Sequence, residues 1–322
     1  MYNVAVVGCG SIGALKPHGI DEPESGSILT HAHAAVRHPY VQLDTVIDTD
    51  VEKAMAAKAK WGARCALQRV GQLEGLPGID IAIVSTPTEF HHQTISELCQ
   101  LHHRPKAIIV EKPFCMNLKE AVGALNIADA AGVPIIVNYI RRFVSGYNVI
   151  NAMFRTGNFG KALNCRMIYT RGMKRDGCHA VDLANWFFGP GKIVGQFGKP
   201  IIDLDETDPT QCTIFEHQLC DNVVFQPCDG RQYGIFETDI CFENYRIRFI
   251  DNGLFYEIYP ITDYNQWGHK SLSYALSDVF RKETQLPIAM LNVLDSAVKV
   301  LKNGKQPQCT ADDAIAVHRI LS

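Results

Sequence analysis

Val4-Ala5-Val6-Val7-Gly8-Cys9-Gly10-Ser11-Ile12-Gly13 stands near the start of the chain and decides how the rest is read. A short β-branched run ends in three glycines spaced as GxGxxG. Each glycine answers a different demand. Gly8 permits a tight turn, Gly10 lets the backbone approach a pyrophosphate, and Gly13 allows close helix–strand packing. Ser11 and Ile12 complete the turn. The helix that follows offers unpaired N–H groups and a positive dipole end to phosphates. Alone, the pattern is weak; its force comes from the alternation behind it.

Apolar runs recur at Val41–Ile47, Ile79–Val84, Ala107–Val110 and Val133–Val137. Helix-like stretches separate them at Glu52–Trp61, His91–His102 and Leu118–Ala131. Strands alternating with amphipathic helices imply a parallel sheet covered on both faces. Asn117 with Glu120 forms a capping box for the last helix, and Gly132 followed by Pro134 stops it.

The period then changes. From about Ile193 to Pro260, short strands are punctuated by Asp221-Asn222, Asp229-Gly230, Glu243-Asn244 and Asn252-Gly253. Such pairs favour the positive φ of tight hairpins. Ile247 and Phe249 alternate with Arg246 and Arg248, and Leu254, Tyr256 and Ile258 alternate beyond the turn. This is an antiparallel meander with one buried face. Helices are expected over Ser271–Lys282, Pro287–Lys302 and Asp312–Leu321. The fold class is therefore α/β. A doubly wound parallel Rossmann sheet over residues 1–142 precedes an α+β domain over 143–322 with a large, mainly antiparallel, open-faced sheet. The C-terminal helix is placed so that it could pack back on the first domain.

Composition narrows the function. The 322 residues carry 31 Lys and Arg against 34 Asp and Glu, a net charge of -3, so no long-range field draws the chain to nucleic acid or to an anionic membrane. No apolar run approaches bilayer length. Met1-Tyr2-Asn3 leads straight into the first strand without a signal-peptide core, so the expected compartment is the cytoplasm. The 11 cysteines lack CxxC spacing and read as reduced, small hydrophobes.

Asp48 ends the second strand. A carboxylate there accepts hydrogen bonds from ribose hydroxyls and repels a 2′-phosphate, favouring NAD over NADP. It could instead cap the helix at Val51, for which Thr49 and Asp50 are equal candidates. The acid should follow the glycines by about twenty residues, yet it comes far later. The excess is Lys16–Thr30, broken by Pro17, Gly19, Pro23 and Gly26. Pro17 cannot sit inside a helix. The first helix is thus interrupted and resumes near Thr30, and the excursion is either a rim or lid over the cofactor or a solvated insertion.

Two further segments follow strands, Ser85-Thr86-Pro87-Thr88-Glu89-Phe90-His91 and Glu111-Lys112-Pro113. Together with Gly8–Gly13 and with Asn138-Tyr139-Ile140-Arg141-Arg142-Phe143, they resemble the glucose–fructose oxidoreductase / inositol dehydrogenase / rhizopine-catabolism (Gfo/Idh/MocA) family. The resemblance covers essentially the whole chain. It implies that Thr86, Pro87 and His91 border the cofactor and that Lys112 reaches a substrate hydroxyl or carbonyl. Glu111 would bond the nicotinamide ribose or neutralise Lys112. A lysine there can hydrogen-bond a developing alkoxide or share its proton.

The resemblance continues at Arg175-Asp176-Gly177-Cys178-His179-Ala180-Val181-Asp182. On a helix from Gly177, His179, Asp182 and Trp186 share a face. His179 is then a proton carrier oriented by Asp182. Family dehydrogenases place an aspartate four residues before that histidine; here Arg175 holds the place and Asp176 follows. Either a local kink returns Asp176 to the site, or Arg175 replaces the acid and favours an anionic substrate. Arg142 and Asn138 are further polar candidates, with packing as the competing role.

His31, His33 and His38 show no acidic or cysteine partners at metal spacing, so no metal is expected. The implied activity is NAD(P)-dependent hydride exchange with the carbinol carbon of a sugar, polyol or sugar derivative. Two other readings stay open: glycoside cleavage through transient oxidation, which some family members perform, and a dinucleotide-binding sensor without turnover. A homodimer or homotetramer through the open sheet is expected.

Overall fold

The computed structural model describes residues 1–322 except Leu276. It divides into two compact units, one comprising Met1–Phe143 with Pro287–Ile320, the other Val144–Leu286.

In the first unit, strands β1 (Tyr2–Val7), β2 (Val41–Ile47), β3 (Cys65–Leu67), β4 (Ile81–Val84), β5 (Ala107–Glu111) and β6 (Ile135–Asn138) form one sheet. Its order is β3-β2-β1-β4-β5-β6, parallel throughout. The chain starts in the middle, winds to one edge, then returns to build the other. That leaves a crevice at the carboxyl ends of β1 and β4, where the winding reverses. Val4–Val6, Ile81–Val84 and Ala107–Val110 are fully buried, as expected for strands covered on both faces. The helices between are α1 (His31–Arg37), α2 (Val51–Trp61), α3 (His91–Gln100) and α4 (Leu118–Ala131). Asn117 caps α4 by accepting from Glu120 N, and Gly132 ends it at φ 69°.

The second unit starts with α5 (Ser145–Arg155), β7 (Ala162–Tyr169) and α6 (Cys178–Phe188). The strands β8 (Gly191–Ile201), β9 (Thr210–His217), β10 (Cys220–Pro227), β11 (Glu237–Phe242), β12 (Tyr245–Ile250), β13 (Phe255–Tyr264), β14 (Lys270–Leu272) and β15 (Phe280–Glu283) follow. With β7 they make a nine-stranded sheet in the order β14-β13-β12-β11-β7-β10-β9-β8, with β15 on β13. Among the described residues only β7 and β10 pair in parallel. One face is apolar. Tyr147 of α5 stacks on Phe249 at 3.8 Å and Phe154 meets Phe242 at 5.1 Å. The opposite face carries charge, with Arg246 on Asp239 and Arg248 and Arg281 on Glu257.

Two expectations need correction. The helix over Ser271–Lys282 is instead strand, turn and strand, with Leu276 outside the described residues. Phe280–Glu283 pairs the outer edge of β13, and Arg281 lies 4.6 Å over the Phe255 ring, so the β13 edge captures a stretch with helical spacing. The domain expected over 143–322 is also shorter. The helices α7 (Ala289–Asn303) and α8 (Ala311–Leu321) come after it, and Pro287–Ile320 belongs with the first unit. Val137 N donates to Cys309 O, and Arg142 pairs with Asp313, which fastens the returning segment to β6 and the turn after it. No helix among the described residues is long and apolar enough to cross a membrane.

Candidate dinucleotide cleft and catalytic residues

At the end of β1 the glycines do three different things. Gly8 sits at φ 94°, and a Cβ there would lie 2.6 Å from the Ser85 carbonyl. At Gly13 a Cβ would lie 1.8 Å from Gly8 O. At Gly10 it would meet no atom within 4 Å. Gly8 and Gly13 are thus demanded by the protein itself, whereas Gly10 faces open space. That space is a cavity of about 1260 Å³, ample for a dinucleotide. Gly8, Gly10, Ser11, Ile12, Asp48, Thr86 and Pro87 line it. Thr86 Oγ1 is buried and has no partner, a hydroxyl left for a ligand. The residues present therefore fit a dinucleotide.

Asp48 has a second duty. Its Oδ2 accepts from Cys9 N at 2.8 Å and its Oδ1 from Asp50 N at 3.0 Å. It therefore clamps the glycine turn, with lone pairs remaining for ribose hydroxyls. The cap of α2 is Asp50, which accepts from Glu52 N and Lys53 N. Burial pushes the Cys9 thiol up to about 12, helped by the nearby Asp48 charge, so this cysteine is inert.

The late arrival of Asp48 now has a cause. His31 N donates to Ile12 O at 3.1 Å and Ala32 N to Gly13 O at 2.9 Å. These are helical bonds with residues Lys16–Thr30 looped out between donor and acceptor. Removing those fifteen residues leaves Asp48 twenty positions after Gly13, as the dinucleotide fold asks. The excursion is fastened on three sides. Asp21 is fully buried and accepts from Leu29 N, with His33 Nδ1 at 2.6 Å. Glu22 pairs with Lys60 at 3.0 Å, and Ile28 N donates to Pro287 O at 2.7 Å.

The three histidines of α1 and its end all have acidic partners, which their local sequence did not disclose. His31 meets Glu111, His33 meets Asp21 and His38 lies 3.6 Å from Asp295. Burial holds His38 below the ordinary imidazole range, with Asp295 partly opposing. Among the described residues no group of three or more His, Cys, Asp or Glu could hold a metal ion.

Glu111 ends β5, Lys112 follows it, and the Lys112–Pro113 peptide is cis. Glu111 is buried, and its Oε1 accepts from His31 Nε2 at 2.8 Å and from Asn138 Nδ2 at 2.6 Å. Burial alone would raise its carboxyl. The His31 bond and charge outweigh this, with help from Asn138 and Lys112, and hold it below the usual carboxylate range. Its expected partner was the ribose or Lys112; the bonds in place are to His31 and Asn138. His91 is likewise buried and not part of the cavity lining, because its ring is held between backbone carbonyls. Arg142, expected at the substrate, is buried with its guanidinium 3.1 Å from Asp313. It ties down the C-terminal helix, a partner too distant in sequence to foresee.

In the second unit, a π turn over Met173–Gly177 leads into α6. Gly177 N donates to Gly172 O at 2.9 Å across the wider turn. The backbone is locally widened here. It leaves Arg175 exposed and Asp176 partly buried, three residues before His179. Asp208 accepts from Lys174 N at 2.8 Å and Arg175 N at 2.9 Å, pinning the turn. Arg171 Nη1 lies 4.0 Å from Asp176 Oδ2. Asp182 is buried on the same helix face as the partly exposed His179, whose ring meets Phe236 edge-on at 6.5 Å.

Sequence reading missed the far wall of the cleft. Gln68, Arg69 and Gln72 line it from the turn after β3. The three residues of β3, Cys65-Ala66-Leu67, are all half-buried and too few to announce a strand.

Comparison with known proteins agrees. Residues 2–139 match the family model described as "Oxidoreductase family, NAD-binding Rossmann fold" (Gfo/Idh/MocA). A scyllo-inositol 2-dehydrogenase (NAD(+)) of Bacillus subtilis is 34% identical over 100 residues, 31% of this chain and 27% of that protein. A myo-inositol dehydrogenase of Streptomyces leeuwenhoekii is 28% identical over 167 residues, 51% of this chain and 45% of that protein. These matches thus span less than half the length of the relatives. The WlbA dehydrogenase of Bordetella pertussis, solved with NADH and UDP-GlcNAcA, shares the fold with a TM-score of 0.76. That likeness covers 99% of this chain and 93% of the other at 16% identity. With its three-glycine turn, reversing sheet and matched sequence, the stretch 2–139 of this chain is similar to the NAD-binding Rossmann part of the Gfo/Idh/MocA oxidoreductase family.

Proposed function

We propose that this protein is an NAD-dependent oxidoreductase acting on a CH–OH group of a polyol, sugar or sugar derivative. The observation that carries this reading is the cleft at the β1–β4 crevice, where Gly10 faces open space and Thr86 holds an unpartnered buried hydroxyl. Bound NAD would supply the hydride acceptor. The protein's part is to bind, orient and move a proton. Backbone at Gly8–Ile12 takes the pyrophosphate, and Asp48 takes the adenosine ribose and repels a 2′-phosphate. Lys112 polarises the substrate oxygen, and His179, with Asp176 and Asp182, receives the hydroxyl proton. Arg175, exposed and next to Asp176 in the chain, suits an anionic group on the substrate.

Inositols are the substrates named for the sequence relatives. The test is nicotinamide absorbance with inositols, aldoses, uronates and nucleotide sugars, using NAD and NADP in parallel. Oxidation of at least one with NAD preferred supports the reading. Tight NADH binding with no turnover across the panel would replace it with a sensor. The exposed Ile193, Val194 and Phe197 along edge strand β8 support self-association through the second sheet, which sedimentation would measure.

A further inference from the structure

The cleft wall at Thr86-Pro87 and the turn at Lys112-Pro113-Phe114 are separate stretches of chain, and one buried side chain joins them. His91 Nε2 lies 2.9 Å from Thr86 O. Its Nδ1 lies 3.1 Å from Pro113 O and 3.2 Å from Phe114 O. All three partners are carbonyls, which only accept. A neutral imidazole has a single N–H, so it could serve one side while setting a bare lone pair against a carbonyl on the other. The arrangement is complete only with hydrogen on both nitrogens. Pro87 and Pro113 have no backbone N–H to link the two turns themselves, and the ring supplies the missing donors.

We propose that His91 is a doubly protonated positioning residue that fastens the Thr86 wall of the cleft to the turn bearing Lys112. Cofactor binding on one side and the setting of Lys112 on the other are thereby coupled. The consequence for turnover rests on the oxidoreductase reading; the bonds themselves do not.

The deciding experiment is a ring-nitrogen NMR spectrum of the intact protein labelled with ¹⁵N-histidine, His91 being assigned by its loss in His91→Phe. Two protonated ring nitrogens, both slow to exchange with solvent, are expected near neutral pH. One protonated and one bare nitrogen overturns the proposal. In parallel, His91→Phe and His91→Gln are titrated with NADH and assayed on whichever polyol or sugar the wild type oxidises. Loss of the bonds should weaken NADH binding severalfold and lower turnover at saturation by roughly tenfold, with Gln, which keeps one donor group, in between. Wild-type affinity and turnover in a folded His91→Phe protein would equally overturn it. Absence of any wild-type turnover would defeat the oxidoreductase reading alone, and the NMR spectrum would still decide this one.

Discussion

His31 Nε2 lies 2.8 Å from Glu111 Oε1, a buried bond between residues 80 positions apart. It joins the first turn of α1 to the strand end that carries Lys112. The excursion at Lys16–Thr30 therefore returns the chain to a place where it supports the strand end bearing the proposed chemistry. His31→Ala leaves the Glu111 carboxylate buried on Asn138 alone and should cost about 3 kcal/mol of stability, read from the denaturant midpoint.

The same carboxyl sets an acid limit. Because the folded protein holds Glu111 below its ordinary value of 4.5, its contribution is present above that value. It is lost as pH falls through the depressed folded value. Glu111→Gln should flatten the acid side of the stability–pH curve. An unchanged slope would mean that another group governs acid unfolding.

Gly10 and Gly13 separate ligand space from protein space. Gly13→Ala forces a contact near 1.8 Å with Gly8 O and should prevent stable folding. Gly10→Ala should fold with a melting temperature close to wild type yet bind NADH at least tenfold more weakly, since its methyl enters the cleft. Equal binding by Gly10→Ala and the wild type would mean that the dinucleotide lies elsewhere.

Lys112→Met should leave NADH affinity within about threefold while reducing turnover by about a hundredfold or more. His179→Asn should do the same from the second unit. A Lys112→Met enzyme with undiminished turnover would remove this lysine from the reaction.

Asp21→Ala tests the excursion. It leaves His33 without its carboxylate beside Trp61, where the rings stack at 4.9 Å. Protease cleavage within residues 16–30 should accelerate, with NADH binding retained. Resistance equal to wild type would show that Glu22–Lys60 and Ile28–Pro287 hold the loop unaided.

How much of this the residues themselves announced depends on range. The glycine turn, the Asn117 cap and the Asn252-Gly253 hairpin each act within a few positions, so local spacing revealed them. The interruption of the first helix was legible from Pro17, and its return at Thr30 matches the observed cap of α1. The partners of His31, His33, Arg142 and His91 were not legible, because each lies in another segment of the chain. Phe280–Glu283 misled for a related reason. Its helical spacing is real, but the outer edge of β13 offered backbone partners that no local pattern records.

The looped-out helix has a practical corollary. Ile12 and Gly13 accept from His31 and Ala32 as though they were neighbours, so the two ends of the excursion are pinned within one helical turn. Its closure entropy grows only slowly with length. The exposed tip around His18–Ile20 is thus a natural graft point. A reporter peptide spliced there should leave Gly10, Asp48 and Lys112 in place.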